Sequence, residues 1–189
     1  MVVIILIVAN VAIIMLEPEL QQIRANAAID QVKDAFRLAR QTAISQRRTI
    51  VIQFVTAAAA TTCPASGLVY QCIELSQIAE PGNVVQAPYL ILPIESSVQF
   101  MTFNGVDTPD GYGVPSAGGI MFGGISGGPV GGMEFQSDGT FINAAGTPIN
   151  GTVFMGIAGI PTTARAVTVL GNTGRVHAFQ GNGSGWYYF

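Results

Sequence analysis

Few residues of this chain are suited to acid–base or nucleophilic catalysis. His177 is the single histidine, so a Ser–His–Asp or Cys–His arrangement would have to include it. It lies in an alternating, strand-like stretch, where it takes the face opposite Val176 and Ala178. We interpret His177 as an exposed strand residue. We therefore assign no catalytic residue and do not expect the chain to be an enzyme.

Two short patterns could bind a metal ion or a phosphate, and both are incomplete. Asp107 and Asp110 lie three residues apart before a glycine, but a calcium site needs more oxygen ligands than two carboxylates supply. The stretch 104–132 is rich in glycine, yet it lacks the G-x-x-x-x-G-K-[ST] pattern, and no lysine follows Lys33. We interpret 104–132 as a surface loop and expect neither a metal nor a cofactor.

The two cysteines, Cys63 and Cys72, lie nine positions apart with Pro64 and Gly67 between them. This spacing suits a disulfide that closes a loop or hairpin in an oxidising compartment. A metal site would need more ligands than two thiols. We predict a structural disulfide between Cys63 and Cys72, and the alternative is a pair of buried thiols.

The N-terminal residues 1–16 are apolar on all sides, with no charge and one polar side chain, Asn10. A helix of this kind belongs in lipid or against other helices. Sixteen helical residues span about 24 Å, less than the ~30 Å hydrocarbon core of a bilayer. A secretory signal peptide would begin with a basic region, but the first basic residue is Arg24. The segment predicts a shortened membrane anchor or a helix that packs against neighbouring helices.

Pro18 marks a kink or a break, because proline cannot donate to the helical ladder. Beyond it, an amphipathic pattern continues to about residue 47. Its apolar side chains recur at steps of three and four residues, at Ile29, Val32, Phe36, Ala39 and Ala43. We predict one helix of about 45 residues within a segment 1–48, apolar throughout in its first third and two-faced afterwards.

Residues 49–189 switch to short strand-like runs bounded by Gly, Pro, Asn or Asp, which indicates a small antiparallel β domain. The predicted strands are Thr49–Val55, Leu68–Leu75, Ser97–Phe103, Gly119–Phe122, Met133–Gln136, Thr140–Asn143, Val153–Gly159, Ala164–Leu170 and Arg175–Phe179. Turn signals at 137–139 and 172–174 predict two hairpins near the C-terminus. The predicted fold class is α+β, with a long N-terminal helix followed by a small antiparallel sheet or sandwich.

Charge is sparse and unevenly divided. Only 10% of residues are charged, against about 25% in typical soluble domains. Residues 1–48 hold six basic and four acidic side chains, and residues 49–189 hold two basic and seven acidic ones. Affinity for nucleic acid rests mainly on Lys and Arg that neutralise phosphates. The acidic balance of 49–189 argues against nucleic-acid binding by this domain.

Taken together, residues 1–55 resemble the N-terminal half of type IV pilin-like proteins. The resemblance rests on the apolar helix, on Pro18, and on residues 36–48, which are similar to the family phrase L-x-x-A-R-x-x-A-I-x-x-x-R with Phe36 at the leucine position and are followed directly by a predicted strand. More narrowly, it is similar to the branch of the H-type minor pseudopilins and the FimT-like minor pilins. The stretch 164–176, with its Gly174-Arg175, resembles the family's closing hairpin. Residues in between match nothing specific.

The resemblance implies a structural subunit of a type IV pilus or of a type II secretion pseudopilus. Its transmembrane helix would lie in the inner membrane before assembly and then, as a methylated subunit, in the core of a periplasmic or extracellular filament. The expected partners are copies of itself or other pilins. The expected core positions are Val2, Ile5, Val8, Asn10 and Ile13. Asn10 would hydrogen-bond either to a neighbouring subunit or to its own backbone.

The resemblance also carries an alternative function, a minor pilin that binds DNA during uptake. FimT-like relatives are associated with DNA binding through a basic Gly-Arg-x-Arg-type hairpin. The matching residues are Arg175 and His177, with histidine at the second basic position.

One departure from the family pattern concerns the start of the chain. The family's precursors carry a short basic leader, a glycine before the cleavage site and a glutamate soon after it, whereas no glutamate precedes Glu17. Aligning Pro18 with the family's proline indicates that about five mature residues are missing upstream, in line with the short span. We therefore expect that the sequence begins inside the anchor. A stop codon just upstream of Met1, with no such leader in frame, would contradict this expectation.

Overall fold

The computed structural model describes residues 2–56, 71–79, 84–103, 108–116, 118–128 and 132–189, with side chains from Leu16 onward. It begins with one helix, α1, Val2–Gln46, of 45 residues. The helix continues through Pro18, so the predicted break does not occur, and the predicted kink stays a prediction. It ends where Arg47 takes a left-handed conformation with φ of 52° and Arg48 N donates to Ala43 O, a common way to terminate a helix.

The amphipathic pattern of α1 is confirmed by burial. All five residues of the predicted apolar stripe are fully buried, as are the neighbouring Ala28 and Ala35 to within 2%. Phe36 lies at the centre, with ring centroids of Phe54, Phe122, Phe135 and Phe141 between 5.9 and 6.4 Å away. The predicted filament-core positions 2–13 lie in the helix, but their side chains are outside the described part of the structure. Among the described residues, no helix is long and apolar enough to cross a membrane.

Thirteen strands follow α1 in the described residues. They are β1 Ile50–Val55, β2 Cys72–Ala79, β3 Val84–Val85, β4 Leu90–Pro93, β5 Gln99–Phe100, β6 Ile120–Phe122, β7 Ile125–Ser126, β8 Met133–Phe135, β9 Phe141–Asn143, β10 Gly151–Gly156, β11 Arg165–Leu170, β12 Arg175–Gly181 and β13 Trp186–Tyr188.

These strands form two antiparallel sheets in the described residues. The first has the order β3-β2-β1-β8-β9, with β4 also paired to β2, and the second has the order β13-β12-β11-β10-β6-β7, with β5 also paired to β10. The buried face of α1 shares one apolar core with residues of both sheets. The predicted α+β fold is therefore confirmed.

The strand predictions held best where two strands are joined by a tight turn. Both predicted hairpins form, β8 with β9 and β11 with β12. The predicted strand Leu68–Leu75 ended too early, because the register of β2 with β1 extends to Gln77 opposite Ile50, and residues 68–70 lie outside the described part of the chain. The prediction for β5 was too long, because β5 pairs only with Met155 and Gly156 at the end of β10. The sequence reading did not identify β3, β4, β7 and β13.

Candidate functional site

A groove of about 720 Å³ lies between α1 and the strand β12. One wall is the helix from Lys33 to Ser45, and the other is formed by residues 174–178 together with Tyr188 and Phe189. We call this site the basic groove, because Lys33, Arg37, Arg40 and Arg175 all line it.

The helical repeat brings three of these cations onto one side of α1. Lys33, Arg37 and Arg40 follow at steps of four and three residues, so they project from one face of the helix. Lys33 pairs with Asp30, and Nη1 of Arg37 lies 3.9 Å from Oδ1 of Asp34. Among the described residues, Arg40 and Arg175 have no carboxylate within 4 Å. Two paired and two unpaired cations therefore share the groove.

Glycine at position 174 lets the β11–β12 turn approach the helix and bring Arg175 with it. Gly174 has a φ of 60°, and a Cβ there would lie 2.0 Å from the carbonyl oxygen of Gly139. That same carbonyl accepts a 3.3 Å hydrogen bond from Nε of Arg40. The two predicted hairpin turns thus stack on each other and on α1, which places Arg175 at the groove.

The far end of the groove is aromatic. The ring of Tyr188 lies 5.7 Å from that of His177 and 4.7 Å from that of Phe179, centroid to centroid. Nζ of Lys33 lies 5.7 Å from the ring centroid of Phe189, within the range of a cation–π contact. Ile44 and Val176 add apolar surface to the lining of the groove. The groove therefore offers positive charge and apolar surface side by side.

His177 was predicted to be exposed, and the structure corrects this. Its side chain is 26% exposed and therefore partly buried, and its Nδ1 lies 3.3 Å from Oδ2 of Asp110. The same carboxylate oxygen accepts a 2.7 Å hydrogen bond from Oγ1 of Thr168. Burial, with a further contribution from Asp110 and Tyr188, raises the pKa of Tyr112 at this place. The sequence reading missed the His177–Asp110 contact because the two residues are 67 positions apart.

The remaining predicted site residues lie elsewhere. Cys72 is buried at the start of β2, whereas Cys63 is outside the described residues, so their disulfide stays a prediction. Asp107 is also outside the described residues, and its pairing with Asp110 is untested. Within the part of the chain that the structure describes, no three His, Cys, Asp or Glu side chains come together as a metal site would require.

Arg165, in the predicted closing hairpin, links the β domain to α1. It is fully buried, and its Nη1 donates to the carbonyl oxygens of Thr162 and Ala164 at 3.1 and 2.8 Å. Its Nε donates to Oδ1 of Asn26 on the helix at 2.8 Å. Burial lowers the pKa of the guanidinium. This contact helps to fix the helix against the sheet whose strand β12 forms the groove wall.

The sequence reading placed Arg175 and His177 at a possible DNA contact but missed the helix cations as their neighbours. The charge sums were taken separately for residues 1–48 and 49–189, so Lys33, Arg37 and Arg40 counted with the helix and Arg175 counted with the acidic β domain. Their spacing at positions i, i+4 and i+7 was the available signal for a common face. The sequence does not show on which side of α1 Arg175 lies.

A long N-terminal helix, apolar at its start, whose two-faced part packs into antiparallel sheets is the type IV pilin-like α+β fold. The minor pseudopilin EpsH from the type 2 secretion system of Vibrio cholerae is similar in structure, with a TM-score of 0.50 at 13% identity over 83% of this chain and 97% of that one. Two crystal structures of the type IV minor pilin FimU of Pseudomonas aeruginosa were also found. Their TM-scores are 0.46 and 0.47 at 14% identity, over 81% and 92% of this chain and 90% and 96% of theirs. No family model matches the chain, and no curated protein matches it in sequence.

Proposed function

We propose that this chain is a structural subunit of a type IV pilus or a type II secretion pseudopilus and that it assembles through α1. The observation that carries the proposal is the uncovered part of the helix. Among the described side chains, the first buried residue of α1 is Ala25. Leu16, Leu20 and Ile23 before it are 53%, 48% and 61% exposed. An apolar helix surface that its own domain leaves bare is stable in lipid or against other helices.

The fold supports the general function, a subunit of a pilus or pseudopilus. EpsH, which shares the fold, is named as a minor pseudopilin of a secretion system. By analogy, the β domain of this chain faces outward while α1 packs with neighbouring helices. The proposed course is insertion in the inner membrane, followed by assembly into a periplasmic or extracellular filament with copies of itself or other pilins. The narrower placement with the H-type pseudopilins and FimT-like pilins is part of the proposal.

Incorporation into filaments tests the proposal directly. The full chain is expressed in its own cells, surface filaments and sheared periplasmic assemblies are purified, and the amount of the chain is measured by quantitative mass spectrometry. A repeating or trace component of the filament is the expected result. Recovery of the wild-type chain only in soluble or membrane fractions, in cells that do make filaments, would contradict it.

A matched pair of variants shows whether α1 is the assembly element. Leu20→Arg places a charge on the bare helix, and Val114→Arg places one on the β domain at the same exposure of 48%. We expect the helix variant to lower incorporation about tenfold or more, because a buried unpaired charge costs several kcal/mol. The domain variant should change it by less than about twofold. Equal effects would argue against assembly through α1.

A second candidate is a minor pilin that binds DNA, and one observation favours it. Arg175 of the closing hairpin lies in the same groove as Lys33, Arg37 and Arg40, so the local charge is more positive than the sums for residues 49–189 indicated. Gel shifts of the full chain in detergent, run from low to moderate salt, test this candidate. Binding that weakens steeply with salt and is lost in Arg175→Ala, but not in the exposed control Arg48→Ala, would support it. Equal binding by the two variants would remove it.

A further inference from the structure

We infer that the basic groove is a docking site for the stretch Leu16–Ile23 of α1 from a second copy of this chain. The inference rests on the proposed filament function and adds to it a specific contact between neighbouring subunits. It follows from the complementary charge and apolar surface of two regions of the same molecule, described in turn below.

The first region is the stretch Leu16–Ile23, about two turns of helix, which is acidic and amphipathic. At 100° per residue, Leu16, Leu20 and Ile23 fall within an arc of about 60°. Glu19 flanks this arc on one side and Glu17 on the other. All five side chains are exposed, and residues 16–23 carry two acidic and no basic side chains. The stretch therefore presents an apolar strip with a carboxylate on each side, and the exposed Arg24 follows it on the side of Glu17.

The second region, the basic groove, presents the complementary pattern. Its lining combines apolar surface, which includes the 43% exposed Ile44 and Val176, with cations from the helix and from the β11–β12 turn. Its helix wall from Lys33 to Ser45 is about 18 Å long, and an eight-residue helical stretch is about 12 Å long. The acidic stretch fits the groove in length, in charge and in its apolar strip.

The occupant has to come from another copy. The acidic stretch and the helix wall of the groove both lie on the single helix α1, and a continuous helix cannot fold back on itself to place residue 20 beside residue 40. A second copy aligned parallel and displaced by about 30 Å along the helix axis brings the middle of its acidic stretch to the middle of the groove. A filament of stacked, parallel subunits offers displacements of this kind. The groove thus connects two subunits along the filament.

A purely polyanionic ligand matches the groove less well. Lys33 and Arg37 already have carboxylate partners in Asp30 and Asp34, which lowers the positive charge available to a phosphate chain. A nucleic acid would also leave apolar surface such as that of Ile44 without a matching contact. Two carboxylates on an apolar helix match both the remaining charge of Arg40 and Arg175 and the apolar surface that lines the same groove.

Charge exchange in the full chain, expressed in its own cells, tests the inference. One variant reverses the acids, Glu17→Lys with Glu19→Lys, and a second reverses the two groove cations that have no carboxylate partner among the described residues, Arg40→Glu with Arg175→Glu. Each is expected to lower incorporation into filaments about fivefold, because two exposed ion pairs become repulsive. The variant carrying all four changes should recover to within about twofold of wild type. Arg48→Glu, an exposed cation outside the groove, is the matched control and should leave incorporation unchanged.

Cross-linking identifies the occupant independently. Cells that express Ile23→Cys and Ile44→Cys chains together are treated with a short bismaleimide, and the products are identified by mass spectrometry. A dimer of this chain joined between those two positions is expected. Leu38→Cys replaces Ile44→Cys in the control, because Leu38 is 42% exposed but does not line the groove.

Several results would overturn the inference. They are unchanged incorporation in both reversed variants, loss without recovery in the fourfold variant, cross-links that are as strong to Leu38→Cys, and cross-links from the groove to a different protein. Loss of DNA binding in the groove variants with normal incorporation would assign the groove to nucleic acid instead. If the wild-type chain itself never enters filaments, the proposed function fails and the inference fails with it, which is a different result from wild-type incorporation that ignores the charges.

Discussion

Nε of Arg165 donates a 2.8 Å hydrogen bond to Oδ1 of Asn26, which joins the β domain to α1 across 139 positions of sequence. Arg165 is fully buried, and among the described residues its Nη2 has no hydrogen-bond partner. A buried cation depends strongly on the bonds that it does make, because an unsatisfied charged group keeps its full desolvation cost. Asn26 therefore matters more for stability than a half-exposed helix residue usually does.

We predict that Asn26→Ala lowers the free energy of unfolding by about 2 kcal/mol, since the guanidinium loses a charge-assisted hydrogen bond. Gln22→Ala, one turn earlier on the exposed side of α1, is the control and should change it by less than about 0.5 kcal/mol. Denaturant unfolding of the full chain in detergent, followed by circular dichroism, measures both. Equal stability of the two variants would show that the Asn26 bond adds nothing.

Phe36 is predicted to be the most sensitive position of the helix. It is fully buried and contacts four other phenylalanine rings, which come from strands of both sheets. Removing a buried aromatic ring leaves a cavity and costs about 3–5 kcal/mol. We expect Phe36→Ala to lose that much in the same unfolding measurement.

Leu38→Ala provides the comparison, because Leu38 is 42% exposed on the same helix. Both variants replace a larger apolar residue by alanine within α1, so they differ mainly in the burial of the side chain that is removed. Its loss should stay near or below 1 kcal/mol. If the two variants were equally stable, the ring cluster around Phe36 would not be the core that holds α1 to the domain.

The part of this fold that depends on local pattern could be predicted, and the part that depends on distant pairing could not. Spacing by three and four residues identified the buried stripe around Phe36, and turn residues identified both C-terminal hairpins. The strand Val84–Val85 has only two residues, too few to show an alternating pattern. It is a strand because it pairs with β2, and its own sequence does not predict that pairing. Burial of Arg165 was equally invisible, because arginine is usually exposed.

The same distinction explains the candidate site. Arg175 was identified from the closing hairpin, and the arginines of α1 were identified as the polar face of a helix. Their meeting depends on the contact between the Gly139 and Gly174 turns and Arg40, which joins segments about 100 and 135 residues apart in sequence. No local pattern encodes such a contact.

Gly174 is predicted to be irreplaceable at the edge of the groove. Its φ of 60° is strained for any residue with a Cβ, and that Cβ would lie 2.0 Å from Gly139 O. Left-handed strain of about 1 kcal/mol together with overpacking of about 1–3 kcal/mol predicts a loss of about 2–4 kcal/mol for Gly174→Ala.

Gly183→Ala separates these two causes. Gly183 has a φ of 88°, but a Cβ there would meet nothing within 4 Å, so only the strain of about 1 kcal/mol applies. Thermal unfolding of both variants in detergent gives the comparison. A loss of the same size at both positions would mean that the contact between the two turns tolerates a side chain.

Glu134 is predicted to make stability fall as the pH rises. It lies in β8 between Val51 of β1 and Ile142 of β9, and burial raises its pKa above the ordinary 4.5. Below pH 4.5 the carboxyl is protonated in both the folded and the unfolded chain, so it costs nothing. Between 4.5 and the raised pKa the unfolded chain binds fewer protons, so the free energy of unfolding decreases with pH, and above that range the full cost remains.

Glu134→Gln should therefore be more stable than wild type at pH 7, and the difference should vanish below pH 4.5. Asp138 is a control of opposite sign, because hydrogen bonds from the side chain and backbone of Thr140 lower its pKa below 3.8. Asp138→Asn should be less stable than wild type at pH 7, with a difference that shrinks as the pH falls through that lowered pKa. Unfolding curves of the three proteins from pH 3 to pH 7 measure both differences. A Glu134→Gln difference that stayed constant over this range would show that the variant acts through packing and not through the charge of the buried carboxylate.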